Sequence, residues 1–180
     1  MTTFQMIEAR PYHCGQMVRL LRIEHQQAVA HLGFSLHHEL RDRFDSSSFR
    51  RAWLIDGKLA ALGGVTGGKM NGTGFLWLAI SETARRYPVA IVKEARRQLA
   101  EIMLVKRELA TTILNGDAAA RRLAIYLGFH VADDGPGAPA HSRFARRDLD
   151  RHLDNDPDIR IPLGSGFAIA MGYHGHEEAA

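Results

Sequence analysis

The hydrophobic positions of this chain change period several times, and each change marks an element. Phe4 to Ala9 reads as a short first strand, ended by Arg10-Pro11. From about Cys14 to His31, Met17, Leu20, Leu21 and Ala28 recur at helical spacing with Arg19, Arg22 and Glu24 between them, and Gly33 is the stop. Ser35 stands at a cap position before Leu36, Leu40 and Phe44, so a second helix is expected, ended by Ser46-Ser47-Ser48. Arg51 to Ile55 and Leu59 to Thr66 are strands joined by Asp56-Gly57, a two-residue hairpin signal. Gly63-Gly64 inside the second of them predicts a bulge or a close backbone approach.

After a glycine-rich loop at Gly67 to Gly72, every position from Phe75 to Ile80 is apolar. Such a strand is covered on both faces, which places helices on both sides of the sheet. Pro88 suits the first turn of a long helix whose one face carries Val92, Ala95, Leu99, Ile102 and Met103 and whose other carries Lys93, Glu94, Arg96, Arg97 and Glu101. A strand at Leu109 to Leu114, a helix from Ala118 to Leu127 stopped by Gly128, and strands at Phe129 to Ala132 and Ser142 to Arg146 complete the pattern. The expected class is α/β: one domain over residues 1–149, then a polar linker and an apolar, glycine-rich tail over 150–180.

Composition narrows the function classes. The length of 180 residues suits one domain with a sizeable core. The net charge is only +3, and Arg143, Arg146, Arg147 and Arg151 are interleaved with Asp148 and Asp150, a mixed solvated surface rather than a nucleic-acid stripe. No apolar run is long enough to span a bilayer. Met1-Thr2-Thr3-Phe4 lacks the basic-then-apolar start of a signal peptide, so secretion is not expected. Cys14 is the one cysteine and reads as structural. The ten histidines include adjacent His37-His38 and the tail pair His174 and His176, but no HExxH motif and no Cys/His quartet, so no metal site is expected.

The order of elements is similar to the fold of the acetyl-CoA-dependent N-acetyltransferases, the GNAT family. The most specific piece is Leu114-Asn115-Gly116-Asp117 leaving a strand, followed by Ala118 to Tyr126 and then Leu127-Gly128-Phe129. It resembles the family segment in which an Asn starts a helix that ends in Gly-Phe, with Asp117 in the Asn position. Trp53 to Val65 resembles the family's central hairpin. The resemblance implies a mixed central sheet with helices on both faces and an extended C-terminal tail. If the chain is active, it implies acetyl-CoA held by Leu78, Ile80, Ser81, Arg85, Arg86 and Asn115. Glu82 would be the general base, with Ser81 or Thr83 as helpers, and Tyr126 a proton donor.

Two departures stand against activity. Family members carry a glycine-containing loop whose backbone N–H groups cradle the diphosphate of coenzyme A at a helix N-terminus. Here Ser81 to Ala90 contains no glycine, and Pro88 has no N–H. The family's acid is a Tyr seven residues after the Asn; counted from Asp117 that position is Ala124, and Tyr126 is turned roughly 200° away on a helix. These losses resemble a narrower group, the GNAT-like virion or virion-assembly proteins of short-tailed bacteriophages. That likeness implies a role without efficient catalysis, in the host cytoplasm or the particle. The tail would dock on other virion proteins or on a second copy through Leu163, Phe167, Ile169 and Met171. Each candidate has a plainer reading beside it: an exposed basic corner for Arg85 and Arg86, a first-turn acid for Glu82, and packing for Tyr126.

Overall fold

Asp56 and Gly57 both take positive φ, 50° and 74°, the conformation that a tight two-residue hairpin turn requires. The strands they join are β2 (Ser47–Ile55) and β3 (Lys58–Thr66). In the computed structural model, which describes residues 2–21, 26, 35–68, 72–113, 118–132 and 140–145, this hairpin is the middle of a seven-stranded mixed sheet. Its order is β1-β2-β3-β4-β5-β7-β6. The remaining strands are β1 (Phe4–Glu8), β4 (Thr73–Ile80), β5 (Glu108–Ile113), β6 (His130–Ala132) and β7 (Ala140–Ala145). β4 and β5 run parallel; every other neighbouring pair is antiparallel. The α/β class and the helices on both faces are therefore as expected. β2 begins four residues earlier than its apolar pattern suggests, because Ser47 and the residues after it pair with β3.

The four helices with described bounds divide between the two faces. α1 (Pro11–Leu20) and α2 (Leu36–Ser46) cover one. Their Cys14, Met17, Leu40 and Phe44 pack with Leu62, Trp77 and Ala79 of the sheet. α3 (Pro88–Met103) and α4 (Ala118–Tyr126) cover the other. Their Ile91, Leu99, Ile102, Leu123 and Ala124 pack with Trp53, Ala61, Val65 and Ile80. Consecutive residues of β4 thus serve opposite cores, which is why the whole strand is apolar.

α1 differs from the expected helix at both ends. It starts at Pro11, where the missing N–H costs nothing, and His13 Nδ1 accepts the Arg10 N–H at 2.8 Å. It stops at Leu20, since Leu21 is extended and bridges to Ser81. Residues 22–25 and 27–34, where the sequence pattern continues as helix, lie outside the described residues. So do 146–180, and with them the division into domain and tail. Ser35 is the N-cap of α2, yet its side chain makes no cap hydrogen bond. Gly128, at φ 93°, ends α4 with paired returns, Gly128 N–H to Ile125 O and Phe129 N–H to Ala124 O, both 2.9 Å.

The two strand glycines settle as a close approach, with the register unbroken on both sides of them. A Cβ on Gly64 would stand 2.6 Å from Phe49 O and 3.0 Å from Trp77 Nε1. That vacancy seats the Trp77 indole, which donates to Ser47 Oγ at 2.8 Å.

Candidate functional site

The parallel pair β4–β5 opens partway along. Its register covers Thr73↔Glu108, Gly74↔Leu109 and Phe75↔Ala110 and then ends. One more bond closes the junction: Thr111 Oγ1 donates to Leu76 O at 2.9 Å. β4 runs on to Ile80 alone on that side. At its far end Ser81 N–H donates to Ala60 O of β3 at 2.8 Å. Peptide groups of a strand alternate in direction, so the odd-numbered residues of β4 address β3 and the even-numbered ones address the side that β5 has left. Leu78, by its N–H and C=O, and Ile80, by its N–H, therefore face the opening. The Leu21–Ser81 bridge closes its upper end. Ser81 and Leu21 spend their own N–H groups on Ala60 and Met17, so this bridge runs on the β5 side of β4. Between the two closures lies a window of about 16 Å, five residues of strand.

Three side chains could have filled this window, and all are turned elsewhere. The Tyr87 ring stands edge-on to Phe4 of β1, centroids 5.7 Å apart, on the far side of the sheet from β5. Val89 is exposed on the first turn of α3. The Tyr126 ring lies under the Arg96 guanidinium, 4.6 Å from its centroid, and the Arg96 side chain also donates to Tyr126 O. Arg96 is eight residues into α3, about 12 Å from its start. Tyr126 therefore joins α3 to α4, away from the end of β4, and Ala124 is buried among the core residues of the same face.

The strand-to-helix junction is a 3₁₀ turn, Glu82–Arg86. Two bonds close it, Ala84 N–H to Ser81 O at 3.1 Å and Tyr87 N–H to Ala84 O at 2.9 Å. Pro88 follows with none, and Ile91 N–H already bonds Tyr87 O. In α3's first turn that leaves the N–H groups of Val89 and Ala90 to face solvent. Glu82 has a side chain 57% exposed and pairs with Arg85 at 3.1 Å; Arg86 is exposed. Lys58, Arg85 and Arg86 border a polar basin with Asp56 and Glu82 on the hairpin side of the turn. Ser81 is 1% exposed, and its hydroxyl has no partner.

The candidates thus fall into three sets. Leu78, Ile80 and Ser81 come together on β4 at the window; Glu82, Arg85 and Arg86 gather on the exposed turn; Tyr126 is apart from both. Asn115 lies outside the described residues, as do Leu163, Phe167, Ile169 and Met171. Among the described residues no three His, Cys, Asp or Glu side chains converge on a point that could hold a metal ion. No helix among them is long and apolar enough to cross a membrane. Cys14 is fully buried with its thiol against Leu40 O, and burial pushes its pKa up, away from a reactive thiolate.

Sequence reasoning missed two features. The first is the Leu21 bridge, which rests on a single extended residue inside a helical pattern. The second is an apolar groove of about 90 Å³ between α3 and the sheet, lined by Met6, Trp53, Gly63, Leu78, Ala95 and Gln98 among others. A signal for it was available: Ile91, Ala95, Gln98 and Ile102 share one helical face, so a glutamine sits in an apolar stripe.

No protein-family model and no curated protein matches this chain. Solved structures match its fold. An acetyltransferase of the GNAT family from Streptococcus pneumoniae is 18% identical, with a TM-score of 0.53 over 79% of this chain and 99% of that one. The PaiA N-acetyltransferase of Thermoplasma acidophilum, in complex with coenzyme A, is 10% identical, with a TM-score of 0.55 over 79% and 99%. An aminoglycoside acetyltransferase in complex with coenzyme A is 13% identical, with a TM-score of 0.59 over 84% and 99%. At such identities the likeness is one of architecture: the chain has the GNAT fold.

Proposed function

We propose that this chain binds an acyl thioester of pantetheine along β4 and passes the acyl group to an amine, with the diphosphate of coenzyme A adding little to the grip. The observation that carries the reading is the window between Phe75 and Ser81, bordered by the peptide groups of Leu78 and Ile80. Pantetheine is an extended chain with two amides, so it can lie against an unpaired strand edge as another strand would. Two fold neighbours are in complex with coenzyme A, which supports a coenzyme A thioester as the donor.

The residues fit the two halves of coenzyme A unequally. The pantetheine half meets strand peptide groups and apolar side chains. The diphosphate half meets a helix start at which Pro88 offers no N–H and those of Val89 and Ala90 remain, beside exposed arginines, where an ionic contact is weak. When bound, the donor supplies an electrophilic carbonyl, to which an amine nitrogen bonds as the C–S bond breaks and the amine proton leaves to water. The chain itself contributes orientation and exclusion of solvent.

Calorimetry with acetyl-CoA, followed by thiol release on adding a panel of small amines, tests this reading. Millimolar or tighter binding with amine-dependent release is expected. No heat at millimolar ligand contradicts it.

The glycine-free junction from Ser81 to Ala90, with Pro88 at the start of α3, favours a second reading, a virion-assembly role without efficient catalysis, in which residues 150–180 dock on another particle protein or a second copy. Removing residues 160–180 then abolishes incorporation and leaves the domain folded; unchanged incorporation rejects the idea.

A further inference from the structure

We infer that the C-terminal run Ile161 to Met171 is a strap for its own domain: it returns as an extended segment and lays one face on the apolar groove beneath α3 and on the exposed side chains at the groove's end. The inference stands apart from the donor reading and commits to a segment of this same chain as the occupant.

The groove calls for an apolar body and nothing else. It holds about 90 Å³, and Met6, Trp53, Leu76, Leu78, Leu99 and Ile102 are among its walls. The charged residues of its lining are engaged with other partners. Arg51 stacks on Phe49, 4.4 Å from the ring centroid, and Glu94 holds Arg97 and Gln98.

The apolar surface continues past the groove's end. That end is marked by Ile102 on the last turn of α3 and Leu127 just after α4. Leu104 and Val105 follow Ile102 and are 72% and 68% exposed, the two most exposed large apolar side chains among the described residues. Ile125, two residues before Leu127, is 52% exposed. Apolar side chains exposed singly are ordinary, but a group of them beside an apolar groove marks a surface that something covers.

The chain leaves the sheet close to this end. Ala145, the last residue of β7, pairs with Glu108, the first of β5. Lys106, two residues earlier, bonds Ile102 O through its N–H at 2.9 Å. Ala145 is therefore less than about 20 Å from the groove's end. A flexible linker of the length of residues 146–160 spans about 20 Å on average. A tethered segment has its highest effective concentration when linker and span match in this way, which favours the chain's own tail over a second copy.

The sequence of the run supplies the face. Its odd positions are Ile161, Leu163, Ser165, Phe167, Ile169 and Met171. Its even positions are Pro162, Gly164, Gly166, Ala168 and Ala170. A period of two is the pattern of an extended segment with one apolar face. The small even face leaves little apolar surface in water once the odd face is covered.

The test uses the full chain with the photo-crosslinker p-benzoylphenylalanine in place of Ile169, as an equal mixture of isotope-labelled and unlabelled protein. Crosslinked peptides are read by mass spectrometry. Crosslinks are expected within single chains, from position 169 to the groove or to Leu104, Val105 or Ile125, with a yield independent of protein concentration. Phe167→Asp with Met171→Asp should lower that yield about tenfold or more. Leu104→Ser with Val105→Ser, at exposed positions that leave the core packing intact, should lower it about threefold. Crosslinks joining labelled to unlabelled chains would overturn the strap in favour of a docked second copy. Crosslinks to another part of the surface, no crosslinks, or a yield that neither double variant changes would overturn it outright.

Discussion

The two faces of the sheet are built around adjacent glycines with different outcomes. On the α1–α2 face the space above Gly64 is filled by Trp77, whose indole reaches Ser47. On the α3 face the space above Gly63 is taken by Leu78, whose Cδ1 lies 3.1 Å from where a Cβ would stand, and a groove remains beside it, lined by Leu78, Ala95 and Gln98. On the first face Trp77 is only 1% exposed. The second leaves an apolar groove next to the strand where the fold neighbours' cofactor chemistry is expected. Both glycines thus admit a close neighbour, Trp77 on one face and Leu78 on the other, and only the second face keeps a groove beside it among the described residues.

Substitutions can break or sharpen this contrast. The largest effect is expected at Gly64→Ala. Its new methyl would meet Phe49 O, a backbone atom of a paired strand that cannot swing away. A loss of about 3 kcal/mol in chemical denaturation is predicted. A loss below about 1 kcal/mol would show that the Trp77 wall is softer than described. Next comes Trp77→Phe, which removes the indole donor from buried Ser47 and leaves a void; about 2 kcal/mol should be lost. On the opposite face the sign should reverse. Gln98→Met deletes a buried, unsatisfied acceptor, so stability should rise by about 0.5 kcal/mol. A clear loss there would mean that Gln98 already has a donor in the resting protein.

The smallest effect concerns pH on the packed face. Burial holds the His13 pKa below its ordinary value of 6.5. The unfolded chain therefore binds a proton more readily than the folded one as pH falls through 6.5. This contribution to stability is fully present above pH 6.5 and fades as pH drops toward the depressed folded value. Denaturation midpoints at pH 7.5 and 5.5 should show a decline that His13→Gln reduces; an unchanged slope in the variant would assign the decline to other groups.

Much of the architecture was legible because it depends on local chemistry. Asp56-Gly57 fixes a turn by its own backbone preferences, Pro88 and Gly128 mark helix ends, and the unbroken apolar run at Phe75 to Ile80 reports two covered faces. The end of α1 was not legible, since Leu21 leaves its helix to pair with a strand 60 residues away in sequence. The closed 3₁₀ turn was foreshadowed by the absence of glycine at Ser81 to Ala90. The groove was not, because it is lined by Gly63 on one element and Ala95 and Gln98 on another. Arg96 holding Tyr126 is of the same kind: a contact between helices that no single segment encodes.

The central claim is that β4 grips the pantetheine half of the donor and the turn after it does not grip the diphosphate. Calorimetric comparison of acetyl-CoA with acetyl-pantetheine, at one salt concentration, tests it most directly. Dissociation constants within about fivefold of each other are predicted, because Pro88 offers no N–H at the helix start and the arginines beside it are exposed. Binding of acetyl-CoA about a hundredfold tighter or more would contradict the account, since it would require the amides of residues 82–90 to hold the diphosphate after all.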